Sequence, residues 1–291
     1  MTTMNRLLFP GNVSFKHVTA VAEDEFLHIE PSRVKKWQAQ DISGRTEMMP
    51  REIFNFSLVY QIPGSWEELV EEVKPNLPWA EDHFQERVGG QPLNPPPSEK
   101  YWPFAQQGNA AHKADEKFSH TYPERFWPKF ANVGERTADN GRQVFVPHVG
   151  IRFGYGDLED VIQQLINDPT TRQAYLPVWF PEDTGATSGQ RVPCTLGYHF
   201  MVRGGKLLVT YYIRSCDYMR HFRDDVYMAV RLGQWVAHEI SVGSTQGAEV
   251  IASVLTMHIA NFHVFEGDVP ELQRRQDEQK KALDSRLAQY L

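Results

Sequence analysis

Residues 198–214 read YHFMVRGGKLLVTYYIR, two apolar, aromatic runs separated by Arg203-Gly204-Gly205-Lys206. Glycine accepts the positive φ that a tight turn demands, so paired glycines between strand-like runs predict an antiparallel hairpin. No other segment constrains the fold as strongly. The hairpin's flanks are chemical rather than structural: Pro193-Cys194 lies just before it, and Arg214-Ser215-Cys216-Asp217 closes it.

Helical and strand-like segments alternate around it. Ser65-Trp66-Glu67-Glu68 has the form of a capping box and predicts a helix that ends before Pro75. Residues 89–111 are rich in Gly, Pro and Asn and read as a long loop, extending to about residue 117. The aromatic stretch 118–130 reads as irregular. DLEDVIQQLIND, from Asp157, carries Leu158, Val161, Ile162, Leu165 and Ile166 on one stripe, and Pro169 stops it. QAYLPVWF predicts a strand, a helix follows Asp225, and residues 250–265 are strand-rich. The charged tail, about 268–291, predicts a solvated surface helix. With no repeat or low-complexity block, the expected fold is one α+β domain over residues 1–291.

Composition removes several functions. The net charge is −7, whereas a broad nucleic-acid surface needs a basic excess, so no nucleic-acid partner is expected. No apolar run approaches the roughly 20 residues of a membrane span, and the N-terminal MTTMNRLLFP lacks a signal-peptide layout. Two cysteines make no disulfide framework, which points to a reducing, cytoplasmic setting. Any bound anion must be gripped by a few local arginines. His199, His258 and His263 fit no standard metal spacing, so no metal is expected.

Taken alone, Cys194 is most simply a small buried hydrophobe. Its companions change that reading. Asp168-Pro169-Thr170-Thr171-Arg172, Trp179, Pro193-Cys194, Arg214-Ser215-Cys216-Asp217 and the His258–His263 stretch follow one another with 20 residues between Cys194 and Arg214. This order and spacing resemble the thymidylate synthase family over roughly residues 157–265, with Tyr122-Pro123-Glu124-Arg125 similar to the family's Tyr-Gly segment. The resemblance implies a thymidylate synthase-like fold, a mixed β-sheet packed with helices in a two-fold homodimer. It also implies 5,10-methylenetetrahydrofolate as co-substrate and a pyrimidine nucleoside monophosphate as substrate.

On that resemblance Cys194 is the nucleophile that adds to pyrimidine C6, and Arg214 lowers its pKa. Arg214, Ser215 and Arg172 hold the 5′-phosphate, Arg172 reaching across from the partner subunit. Asp217 is the pterin contact, while His258 and Tyr122 lie on the substrate side. Glu52 is the nearest counterpart of the family's buried glutamate. Cys216 is read as a packing residue.

Position 225 bears on the base. The family has an asparagine 31 residues after the nucleophile, an amide that can both donate and accept towards uracil. Asp225, as a carboxylate, only accepts, which suits the 4-amino group and protonated N3 of cytosine. Thr195 after the nucleophile and the stretch His221-Phe222-Arg223-Asp224-Asp225 are similar to the bacteriophage deoxycytidylate hydroxymethylase branch, which would place the chain in a phage-infected cell. The expected reaction is hydroxymethylation of dCMP. The alternatives are dCMP methylation with hydride from the folate, CMP hydroxymethylation, dUMP methylation, and a nucleotide-binding regulator without turnover. Ala260 stands where the family has a sugar-binding tyrosine, Gln173 replaces a second arginine, and the charged tail replaces the apolar C-terminal lid.

Overall fold

The computed structural model describes residues 8–9, 13–37, 40–104, 113–114, 117–129, 131, 135–137, 143–145, 156–184, 192–244, 247 and 249–287. At its centre is a six-stranded mixed sheet. In chain order its strands are β1 (Leu8–Phe9), β2 (Pro50–Gln61), β3 (Tyr175–Pro177), β4 (Thr195–Arg203), β5 (Lys206–Asp217) and β6 (Ile251–Phe265), arranged β1-β2-β6-β5-β4-β3. β4 and β5 form the expected hairpin, turning through Gly204 and Gly205 at φ of 55° and 71°. β5 and β6 run parallel, with helix α6 (Phe222–Gly243) crossing between them, and β6 pairs antiparallel with β2.

The sheet has two unlike faces because strand side chains alternate. On β5, Leu207, Val209, Tyr211 and Ile213 are buried, whereas Leu208, Thr210 and Tyr212 between them are only half-buried. Helix α6 covers the buried face. It is apolar on several sides, with Val226, Val230, Val236 and Ile240 fully enclosed. Gly233 lets it lie close: a Cβ there would stand 2.9 Å from a methyl of Val209. An aromatic nucleus of Phe15, Phe56, Phe222 and Phe262 joins α1 (Phe15–His28) to the sheet, with ring centres 4.7–5.8 Å apart. Each such ring contributes about 1.5–3 kcal/mol through burial.

The smaller helices follow local signals closely. Ser65 accepts from the N–H of Glu68 and starts α2 (Trp66–Val73). After α3 (Trp79–Val88) and the short α4 (Tyr122–Phe126), Asp157 and Asp160 cap α5 (Leu158–Asn167) reciprocally. α7 (Val269–Leu287) is the charged tail helix.

Four expectations are adjusted. The 118–130 stretch is not irregular throughout, since Thr121 and Glu124 form a capping box that starts α4. The 89–117 loop holds a short 3-10 turn over Pro97–Tyr101, and residues 105–112 and 115–116 of it lie outside the described residues. Only Tyr175–Pro177 of QAYLPVWF pairs as a strand. α6 begins at Phe222, four residues before its expected start, so Asp225 sits within its first turn.

Candidate active site

Cys194 immediately precedes β4, and the ladder continues past the strand end: Arg214 N donates to Cys194 O at 2.9 Å. A bulge between Thr195 and Gly197 sets this register and places Arg214 beside the cysteine. Arg214 then builds the segment that carries the thiol. Its Nε donates to Pro193 O at 2.8 Å and its Nη2 to Val192 O at 3.0 Å. The same Nη2 lies 3.9 Å from Cys194 Sγ, and the guanidinium faces the Trp179 ring at 5.8 Å. Cys194 is partly exposed, as a nucleophile must be to meet a substrate.

Behind the thiol lies a chain of hydroxyls. Thr195, fully buried, donates to Tyr122 Oη at 3.2 Å and shares a 2.8 Å hydrogen bond with Tyr211 Oη. Burial pushes both tyrosine pKa values upward, so these phenols remain neutral. This joins two residues that the sequence set far apart, Tyr122 on α4 and Thr195 next to Cys194.

Asp225 enters from the first turn of α6. Cys216 Sγ donates to its Oδ2 at 3.6 Å. The Asp225 carboxyl is pushed up to about 7, first by burial and further by the charge of Asp224, against the opposing field of Arg87. The Cys216 thiol is itself raised well above its ordinary value, by burial first and then by Asp225, so it stays protonated and able to donate. The expected packing role for Cys216 is therefore incomplete: it is buried, and it is also a hydrogen-bond donor to Asp225.

The other predicted residues are placed as follows. Ser215 is half-buried on β5, opposite Asn261 of β6. His258 Nδ1 lies 2.9 Å from Ser57 Oγ, and its ring stacks on Tyr212 at 5.5 Å on the uncovered sheet face. Arg172 is exposed in the turn before β3, where its carbonyl accepts from His199 Nε2 at 2.9 Å. Glu52 stands on β2 across from His263, and Asn261 Nδ2 donates to its Oε1 at 2.5 Å. None of the hydrogen bonds of the described residues ties Glu52 to Cys194 or Asp225.

Asp217 is held by its own turn. Its Oδ1 accepts from the N–H groups of Met219 (2.9 Å) and Arg220 (3.1 Å), and its Oδ2 pairs with Arg220 Nη1 at 3.0 Å. Arg220 in turn bridges to Asp268. Beyond this turn opens a cavity of about 610 Å³, lined in part by Phe104, Met219, Arg220, His221, Arg223 and Lys74. The carboxylates Glu23, Asp224 and Glu278 line it beside Lys74, Arg220, Arg223 and Arg275, so its charge is mixed. Among the described residues no three His, Cys, Asp or Glu side chains converge to hold a metal. His263 instead packs against Trp37 and Phe265, and burial lowers its pKa.

Arg87 is the site residue that sequence reasoning missed. It lies near the C-terminal end of α3, 4% exposed, with its guanidinium carbon 4.1 Å from the centre of the Tyr122 ring. An arginine near a helix end is usually solvated, so only the tertiary packing reveals it.

The structure is thus a mixed sheet packed with helices, with Cys194 and Arg214 paired at a hairpin base and Asp225 on the helix that follows. The family model for thymidylate synthase matches residues 111–287, and the chain belongs to the thymidylate synthase family. It is 31% identical over 153 residues to a protein of Methanothermobacter thermautotrophicus provisionally described as a thymidylate synthase, covering 50% of this chain and 64% of that one. A protein of Methanocaldococcus jannaschii with the same description is 26% identical over 111 residues, covering 37% of this chain and 46% of that one. The alignments therefore span less than two thirds of the relatives they match. The crystal structure of thymidylate synthase from T4 phage superposes with a TM-score of 0.56 at 16% identity, over 89% of this chain and 79% of that one, a likeness of fold. No helix among the described residues is long and apolar enough to cross a membrane.

Proposed function

We propose that the chain is a folate-dependent one-carbon transferase acting on a pyrimidine nucleoside 5′-monophosphate, and specifically a deoxycytidylate 5-hydroxymethylase. What supports this reading is the contact of Cys216 with Asp225 Oδ2 at 3.6 Å, made from the same strand end that brings Arg214 beside Cys194.

Pyrimidine C5 is a poor nucleophile. Addition of the Cys194 thiolate to C6 makes the ring an enamine, and a guanidinium at 3.9 Å favours the thiolate that must attack. The co-substrate, 5,10-methylenetetrahydrofolate, supplies the electrophilic methylene. As the thiolate adds, electron density accumulates towards N3. The Asp225 carboxylate accepts from the 4-amino group and pairs with N3 once that nitrogen is protonated, stabilising the charge where it develops. Loss of the C5 proton and departure of tetrahydrofolate leave an exocyclic methylene. Water adds to that carbon, and expulsion of Cys194 restores the ring, giving 5-hydroxymethyl-dCMP.

The half-buried sheet face supports the second element of the reading, a two-fold homodimer. Leu208, Thr210 and Tyr212 of β5 are only half-buried, and so are Thr256 and His258 of β6. A second copy laid on this face would cover it, and Arg172, exposed near the β3 edge, is available to the partner's phosphate site.

The test is mass spectrometry of products after incubation with methylenetetrahydrofolate and an equimolar mixture of dCMP, CMP, dUMP and UMP. A hydroxymethyl adduct on dCMP alone is expected. A methyl adduct with dihydrofolate formed would overturn the hydration step, and a product from dUMP would overturn the base assignment.

A further inference from the structure

We propose that Arg87 and Thr195 are positioning residues that make Tyr122 the proton-transfer group at pyrimidine C5: the guanidinium lies over the Tyr122 ring, and the Thr195 hydroxyl donates to its oxygen. The inference rests on the thiolate-addition step above and is independent of the base that the site reads.

The direction of one hydrogen-bond chain decides where the Tyr122 proton stands. A hydroxyl has a single proton to give. Thr195 Oγ1 donates to Tyr122 Oη at 3.2 Å, so in its 2.8 Å contact with Tyr211 Oη the threonine accepts. The chain therefore runs from Tyr211 through Thr195 to Tyr122, and each donor strengthens the next. Tyr211 and Thr195 are buried, whereas Tyr122 is only half-buried. Its proton is left at the open end of the chain, beside the residue that follows Cys194.

Arg87 supplies what a phenolate at that end needs. The side chain is taken out of water, 4% exposed, and its Nε has no hydrogen-bond partner among the described residues. Such burial is costly unless the charge is compensated. The guanidinium carbon stands 4.1 Å from the centre of the Tyr122 ring, where negative charge on the phenol offsets that cost. The backbone of Arg87 is fixed as well, its carbonyl accepting from Trp127 Nε1 at 2.8 Å.

The groups around Tyr122 set the balance. Burial pushes the phenol up first, and negative charge on Cys194 or Asp225 pushes it further, while Arg87 and the Thr195 hydroxyl oppose them. On its own helix Glu124 is engaged by Asn94 and the N–H of Thr121, and Arg125 by Asp183. The step balances on these groups alone. As the thiolate forms the S–C6 bond, the C5=C6 electron pair moves to C5 and takes the phenolic proton, leaving Tyr122 as phenolate. The reverse removes a proton from C5, restores the double bond and expels the thiolate.

The experiment follows exchange of the C5 hydrogen of dCMP and of dUMP in heavy water, by NMR without co-substrate. Wild type, Arg87→Gln, Arg87→Lys and Thr195→Val are compared, with nucleotide Kd measured alongside. In each, difluorotyrosine is also placed at position 122 and its titration followed by fluorine NMR. In Arg87→Gln exchange should fall about tenfold with Kd within about twofold of wild type, and the fluorinated phenol should titrate roughly one pH unit higher. Arg87→Lys should recover most of both, and Thr195→Val should raise the midpoint as well. An unmoved midpoint in folded Arg87→Gln, or exchange that falls only as nucleotide binding falls, overturns the proposal. Thr195→Val carries the test if Arg87→Gln does not fold, and an unmoved midpoint there overturns it equally. If wild type binds nucleotide and exchanges neither C5 hydrogen while the midpoint moves, the thiolate reading and the C5 step fail, and the hold of Arg87 on Tyr122 stands.

Discussion

Cys216 Sγ lies 3.6 Å from Asp225 Oδ2, so the third residue of the strand-end Arg-Ser-Cys-Asp motif is turned towards the acid on the next helix. This contact ties the end of β5 to the first turn of α6. The strand supplies Arg214 to Cys194 and Cys216 to Asp225.

Asp225→Asn should change both specificity and stability. With an amide that always donates and accepts, preference should move from dCMP towards dUMP by tenfold or more, read as the ratio of kcat/KM. The stability sign follows from proton linkage. An unfolded aspartate titrates near 3.9, whereas folded Asp225 titrates at about 7, so the folded state binds the proton more tightly. The wild-type carboxyl therefore costs nothing below about pH 4, and its cost grows between pH 4 and 7 and is constant above. Asp225→Asn should raise Tm relative to wild type at pH 8 and have little effect at pH 4; a Tm gain independent of pH would contradict the burial of this charge.

Thr195→Val keeps the shape of the buried side chain and deletes the hydroxyl joined to Tyr122 and Tyr211. The buried phenol of Tyr211 and the partly buried one of Tyr122 each lose a partner. A destabilisation of about 1–3 kcal/mol in urea unfolding is expected, with a loss in turnover from the loosened nucleophile segment.

Arg220→Ala should cost more than a surface charge deletion. Arg220 joins Asp217 to Asp268, tying the turn after β5 to the 3-10 turn that leads into α7. Removing it leaves two enclosed carboxylates facing each other. Thermal unfolding should show a loss of roughly 3 kcal/mol, and Arg220→Lys should recover part of it.

Mixing two inactive variants tests the shared site. Cys194→Ala lacks the nucleophile and Arg172→Ala lacks the phosphate contact, so neither homodimer should turn over. If Arg172 is donated across a two-fold axis, subunit exchange should restore activity up to roughly a quarter of wild type, because half the dimers are mixed and each holds one intact site. No recovery in a mixture shown by native mass spectrometry to contain heterodimers would place Arg172 in its own subunit's site.

Much of this was legible in the chain because it is local. The Gly204-Gly205 turn, the Ser65 and Asp157 helix starts, the α5 stripe and the Cys194–Arg214 spacing all rest on neighbouring residues, and a hairpin converts a fixed separation in sequence into a contact across strands. The short α4 was hidden by proline and aromatics, although its Thr121–Glu124 box was present in the letters. The start of α6 was misplaced because His221 is a poor cap, and tertiary packing of Phe222 rather than a capping side chain fixes that end.

By itself, then, the sequence determined the hairpin, the α+β order and the spacing that brings Arg214 beside Cys194, since each depends on short-range geometry or regular spacing. Tertiary structure alone decided which distant groups surround Asp225. Arg87, Cys216, Tyr122 and Tyr211 come from three separate elements and act on the carboxyl only because burial removes the water that would otherwise screen them. A pKa is a property of that enclosure, and no spacing along a chain encodes it.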